Sequence, residues 1–396
     1  MALTMGGTAA SAQQIEGPHS VFAATAEEYK PYGLQLGEVK ILPTANVRIE
    51  YDDNIYAAPS NRIADWKLIV VPRVDLVLDK GKLQVNGVAE ARIKRFFERK
   101  SENSTGALVG GRFQYKPSDT DAFAANLSGE RVVEDRGDPE ARTIATVGPR
   151  LFNSYNAEVS YERSGRIGFD VHGGFNRLDY LSTIDAERDH DNFSGSARIS
   201  YEISGTAHVY ARSYAIIRKF RQRTDANGVN RDAKTYGLRA GMTFDPGGRL
   251  SGDAAIGLFR FDPTDTSLKA RTGFSAQASL AYELSQRTSF TFDAFRGDVA
   301  TVQRGAQSRT DTRLQLGLQQ EIRHNFRVQA GAFYRRTNFV GSGIRETTKG
   351  GFGEVEYLFD RHLSVAATGR YADRSSSDPF GAFDRLRVGL ELRFKY

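Results

Sequence analysis

The sequence predicts an all-β fold: a transmembrane, antiparallel, up-and-down β-barrel of about 18 strands. Three observations predict it. Many segments alternate strictly between apolar and polar residues, short turns alternate with long polar loops, and the apolar strand faces are almost free of charge.

The alternation is cleanest in the final eleven residues. Leu386, Val388, Leu390, Leu392, Phe394 and Tyr396 alternate with Arg387, Gly389, Glu391, Arg393 and Lys395. The same period recurs at 83–93, 193–203, 236–244, 274–284 and 326–334. In 274–284, for example, Phe274, Ala276, Ala278, Leu280, Tyr282 and Leu284 oppose Ser275, Gln277, Ser279 and Glu283. Successive strand side chains point to opposite faces, so each such segment has one oily face and one wet one.

Short turn signals sit at 79–81, 116–119, 163–165, 204–205, 245–248, 284–286, 323–325 and 359–361, about every 40 residues. Between them lie longer polar segments at 52–65, 94–106, 133–147, 179–191, 219–234, 262–271, 297–311, 337–349 and 373–384. Eight turns and nine loops join eighteen strands. Sixteen is the competing count, because 122–133 and 248–261 alternate poorly. Short turns on one side and long loops on the other is the asymmetry of outer-membrane barrels, with the turns periplasmic.

A soluble sandwich also alternates. Arginine on the polar faces and charge-free apolar faces favour lipid outside and water within, since Arg or Lys facing lipid at mid-depth costs about 2–4 kcal/mol. Aromatics near strand ends (Tyr115, Tyr155, Tyr161, Tyr282, Tyr334, Tyr357, Tyr371, Phe394 and Tyr396) suit interfacial girdles. An unpaired strand edge in hydrocarbon is too costly, so the first and last strands must pair.

The composition agrees. The apolar fraction is 40%, and no run approaches the ~20 apolar residues of a membrane-spanning helix. Glycine numbers 39 and proline only 11. Cysteine is absent, which excludes disulfides, thiol catalysis and cysteine-bound metal. The net charge of +6 is spread along the chain rather than clustered, which argues against nucleic acid as a partner. Three segments are expected: a signal-peptide remnant at 1–12, ending in Ala10-Ser11-Ala12; a periplasmic lead-in at 13–42; and the barrel at 43–396.

No catalytic pattern stands out, so no enzyme, cofactor or metal is expected. The six histidines, His19, His172, His190, His208, His324 and His362, form no metal-spaced cluster with carboxylates. There is no G-x-S-x-G elbow, P-loop or dinucleotide fingerprint. Asp52-Asp53-Asn54 lacks the spaced ligands of a calcium loop and reads as a turn or loop signature.

The candidate functional residues are therefore those expected to line the lumen: Arg73, Asp75, Arg92, Arg112, Arg198, Arg239, Arg313, Arg327, Arg370, Arg387 and Arg393. Lys94, Arg212 and Arg335 fall on the same faces, as do acidic residues such as Glu90, Asp170, Glu354 and Glu391. Two readings stay open. Cross-strand ion pairs would stiffen the wall, and a basic stripe would guide an anionic solute.

Residues 31–78 carry the most specific pattern. Pro31-Tyr32-Gly33-Leu34-Gln35-Leu36-Gly37 leads to Leu42-Pro43, Tyr51-Asp52-Asp53-Asn54-Ile55-Tyr56, Ala64-Asp65-Trp66 and Val71-Pro72. This opening resembles the "putative β-barrel porin type 2" family of Gram-negative bacteria. The chain end also resembles the signal read by the barrel-assembly machinery, through Arg387, Gly389, Leu392 and Phe394, and continues to Tyr396. The resemblance implies an outer-membrane conduit. It also implies extracellular polysaccharide as the favoured cargo, with periplasmic polysaccharide-export proteins as partners. A general small-solute porin and a loop-plugged structural or adhesin barrel are the alternatives.

Overall fold

The computed structural model describes residues 29–141, 147–225, 228–245, 247–303 and 305–396. The expected signal remnant and residues 13–28 of the lead-in lie outside the described residues. A short strand, β1 (Leu34–Leu36), folds back on β2 (Val39–Asp52). Then follow β3 (Asp65–Asp79), β4 (Leu83–Phe96), β5 (Ser104–Tyr115), β6 (Asp121–Val133), β7 (Leu151–Arg163) and β8 (Ile167–Tyr180). The wall continues through β9 (His190–Ser204), β10 (Ala207–Phe220), β11 (Ala233–Phe244), β12 (Leu250–Pro263), β13 (Arg271–Ser285) and β14 (Thr288–Val299). It ends with β15 (Ser308–Arg323), β16 (Phe326–Val340), β17 (Arg345–Leu358), β18 (Leu363–Ser376) and β19 (Phe383–Lys395).

From β2 onward each strand pairs antiparallel with the next, and β19 returns to pair with β2 from Arg387↔Asp52 to Lys395↔Thr44. The ring is thus closed by eighteen strands, and no edge is left in hydrocarbon. The first wall strand begins at Val39, inside the segment expected to be lead-in. The poorly alternating segments are both true strands, β6 and β12. β12 alternates weakly because it is apolar on both faces: Ile256 and Leu258 look outward, while Phe259 and Phe261 are buried on the inner side.

The eight short turns fall as expected, but the long connections are shorter. Between β16 and β17 only residues 341–344 remain outside strands, and between β14 and β15 only 300–307. Beyond the apolar band both strand faces can meet water. A strand can therefore continue through sequence that reads as a polar loop.

The outer face is oily. Leu127, Val159, Leu238, Ile256, Leu316 and Leu390 all stand exposed on it. Outward rings gather toward the short-turn end, among them Tyr115, Phe123, Tyr201, Tyr282, Phe290 and Phe394. Such rings suit a membrane interface. The inner face holds the buried polar residues, including Asp52, Lys67, Arg309, Asp311 and Arg385. No described helix is long and apolar enough to cross a membrane.

Candidate functional site

In the longest connection, residues 134–150 between β6 and β7, the described residues 134–141 do not project outward. They turn into the lumen as a polar tongue, and arginines from distant strands hold it there. Arg385 Nη1 donates to Asp135 at 2.8 Å, and Arg387 Nη1 at 3.2 Å. Arg374 donates to the carbonyls of Gly137 and Asp138. The Glu140 carboxylate accepts from Arg309 Nη1 at 2.8 Å, Thr301 Oγ1 at 2.7 Å and the Val302 backbone at 3.0 Å. Glu140 adopts φ of 63°, a left-handed conformation costing about 1 kcal/mol or more, which these three bonds offset.

The root of the tongue is fixed on its own side. Arg136 donates to Glu102 at 3.1 and 2.5 Å. Arg150 reaches Glu134 at 3.0 Å, Asp185 at 2.8 Å and the carbonyl of Glu140. Of these partners, Glu102 lies in the loop after β4 and Asp185 in a short 3-10 segment, Thr183–Arg188.

A second inward element is the loop 53–64. Ile55, Tyr56 and Phe96 form a small buried apolar cluster, and the Arg136 guanidinium lies 5.4 Å from the centre of the Tyr56 ring. Asp52 anchors this loop and the tongue together. It accepts from Lys67 Nζ at 2.9 Å and from Arg385 at 2.9 and 2.6 Å, and Arg385 also grips Asp135. Asn54 donates to the carbonyls of Ala58 and Asp384, both at 2.9 Å. The Asp52-Asp53-Asn54 motif is thus a structural latch between the first and last wall strands.

The upper ends of β14 and β15 form a third. β13 pairs with β14 only over Ala276–Ser285, so the β14 end is free to lean inward. Asp298 there accepts from Arg271 Nη2 at 3.1 Å and Thr235 Oγ1 at 3.3 Å, and lies 3.6 Å from Arg218. All three partners belong to the inner face of β10–β13.

Burial raises the pKa of Glu134 and Asp138, whereas that of Asp135 falls. Burial and the neighbouring Asp135 carboxylate push Asp138 up to about 7, against the pull of Arg335 and Arg374. Burial would raise Asp135 too, but Arg385, Arg387 and Lys94 hold it well below the usual carboxylate range.

The eleven residues singled out from sequence all share the inward face, by the register of their strands. The structure does not gather them into one site. Arg73 bonds Asp75 at 2.6 Å and Glu90 at 3.2 Å, and Arg92 bonds Glu90 at 2.7 Å. Arg393 bonds Glu354 and Glu391 at 2.8 Å, and Arg327 lies 3.9 Å from Glu356. These pairs belong to the wall. Arg198 bonds Asp170, Arg313 lies 3.7 Å from Asp311, and only Arg387 touches the tongue. Arg112, Arg239 and Arg370 have no carboxylate within 4 Å among the described residues; Arg370 instead lies 4.4 Å from the centre of the Phe333 ring.

Sequence reading missed Arg309, Arg374 and Arg385, because their positions fell in or beside expected loops. It also missed the tongue, whose charge density from Glu134 to Glu140 is the one signal that marks it. No group of three or more metal-ligating side chains occurs among the described residues. At the chain end, Arg387 and Gly389 face inward, whereas Leu392, Phe394 and Tyr396 are exposed.

The sequence matches the family model "Putative beta-barrel porin 2" over residues 27–396. No match was found among curated proteins. Among solved structures, the chain is similar to OccK2 (OpdF) of Pseudomonas aeruginosa, with 11% identity, a TM-score of 0.50 and coverage of 91% of this chain and 98% of that one. It also aligns with the FrpB iron transporter of Neisseria meningitidis, with 8% identity, a TM-score of 0.48 and coverage of 89% and 81%. At such identities the likeness to OccK2 concerns the fold alone.

Proposed function

The chain belongs to the Putative beta-barrel porin 2 family and is a porin-like barrel of the bacterial outer membrane, and from that premise we propose that it conducts hydrophilic solutes through a lumen gated by residues 134–141. Extracellular polysaccharide is the favoured cargo, and passage of a polymer requires the tongue to be displaced.

One observation carries the gating reading: Glu140 reaches across the lumen to Arg309, and the contacts that hold the tongue there are polar. Water and passing ions compete for such bonds, so the tongue can be released without exposing a large apolar core.

The terminal strand, through Arg387, Gly389, Leu392, Phe394 and Tyr396, is the segment we assign to recognition by the barrel-assembly machinery. Periplasmic polysaccharide-export proteins are the partners this reading requires, and outer-membrane lipid is the solvent of the outer face.

Planar-bilayer recording tests the proposal. The purified barrel should carry a small current that grows when Glu140→Ala frees the tongue. Osmotic swelling of proteoliposomes with saccharides of increasing size then reads the width of the opened path. Silence in both the parent and the variant would establish a plugged structural barrel instead.

A further inference from the structure

The wall opposite β19 carries an arrangement that strand pairing alone would disfavour. Arg212 on β10 stands directly across from Arg198 on β9 and from Arg239 on β11. Like charges placed directly opposite in a sheet repel. Elsewhere on the inner face a carboxylate relieves such meetings. Arg313 and Arg335 share Asp311, and Arg387, opposite Arg370, bonds Asp135. Arg198 has Asp170 and a 3.3 Å bond to Thr243 Oγ1. Arg212 and Arg239 have no carboxylate within 4 Å among the described residues.

Arg239 is held by neutral groups, donating to Ser275 Oγ at 2.7 Å and Gln277 Oε1 at 2.8 Å. Among the described residues Arg212 makes no hydrogen bond, and its Nε is buried without a partner there. Its guanidinium instead lies 5.4 Å from the centre of the Tyr210 ring, while Arg239 lies 4.5 Å from that of Tyr214. The rings are fixed from behind. A Cβ at Gly241 would come within 2.7 Å of Tyr210, and one at Gly237 within 2.7 Å of Tyr214. Glycine, ring and guanidinium form two stacks that preset the cations. A preset guanidinium without a carboxylate partner is suited to capture an oxyanion. Toward the short-turn end, Arg198 borders a separate cavity of about 340 Å³ lined also by Glu162, Asp170, Glu202 and Asp245, which Arg212 and Arg239 do not line.

We propose that Arg212 and Arg239, flanked by Arg198, form an anion-binding subsite for a carboxylate or phosphate group on a passing solute. This rests on the conduit reading above and names the charge class of its cargo.

Isothermal titration of the detergent-purified full chain tests it, with trigalacturonate, inorganic phosphate and neutral maltotriose as probes. The two anions should bind, more weakly as salt rises, and maltotriose should not. The R212Q/R239Q double variant should lose affinity roughly tenfold or more. R73Q, whose parent residue is already paired with Asp75 and Glu90, should not. Binding of only one anion would assign the subsite to uronates or to phosphates.

Phenylglyoxal labelling of the unaltered protein gives a second readout that needs no variant. A bound anion should protect Arg212 and Arg239 from modification. Unchanged anion binding in R212Q/R239Q, or a parent barrel that binds neither anion, would overturn the subsite. A barrel that binds anions yet passes no current would overturn the conduit while leaving the subsite in place.

Discussion

Glu140 and Arg309 meet at 2.8 Å, although the tongue that carries Glu140 springs from β6 while Arg309 stands on β15, half of the eighteen-strand ring away. Both side chains are almost completely buried. The contact therefore spans the lumen, and it holds the far end of a tongue that Arg374, Arg385 and Arg387 grip nearer its root.

Glu140→Ala should weaken tongue docking by about 3 kcal/mol, because it leaves Arg309 buried without that partner. The expected result is a several-fold rise in single-channel current. Arg309→Ala should act alike, and the double variant should add little beyond either. Fully additive effects would show that the two residues act separately.

The tongue should loosen as pH rises. Asp138 is pushed from the ordinary 3.8 up to about 7 by burial and by Asp135, with Glu134 adding repulsion and Arg335 and Arg374 opposing it. A carboxyl whose folded value is raised stabilises the folded form in its protonated state. That contribution is complete below about pH 4 and is lost as pH rises through about 7. Bilayer current should therefore be smaller at pH 5 than at pH 8. Asp138→Asn should flatten the profile, and a flat profile in the parent protein would contradict the argument.

Leu390, exposed near the middle of β19, should tolerate no charge. Leu390→Arg should cost about 2–4 kcal/mol in lipid. Thr368→Arg, on the inner face of β18, should cost much less. Urea titration of folding into vesicles measures both, and equal costs would mean that the faces have been assigned wrongly.

Gly350 lies beneath the Phe333 ring, where an added Cβ would approach that ring to 2.5 Å and the Tyr371 carbonyl to 2.1 Å. Gly350→Ala should destabilise the barrel by about 1–3 kcal/mol. The thermal unfolding midpoint should drop accordingly, and an unchanged midpoint would show that the stack yields freely.

The wall was legible in sequence because alternation is a local property. Leu386 to Tyr396 reveals its two faces without any other part of the chain. The tongue was not, because what distinguishes it is where its partners stand. Asp135 and Arg385 are 250 residues apart, and nothing near Asp135 announces that contact. Asp52 was read as part of a loop signature for the same reason: its role rests on Arg385, 333 residues away. Arg309 and Arg374 were hidden differently, by polar sequence that continues as strand above the oily band.

The last strand both completes the wall and, through Arg385 and Arg387, provides the clasp for Asp135. Assembly then has a built-in order. Until the C-terminal strand pairs with β2, two of the tongue's anchors are out of position, and Asp135 lacks its clasp. Sealing the cylinder therefore also fastens the last part of the tether inside it.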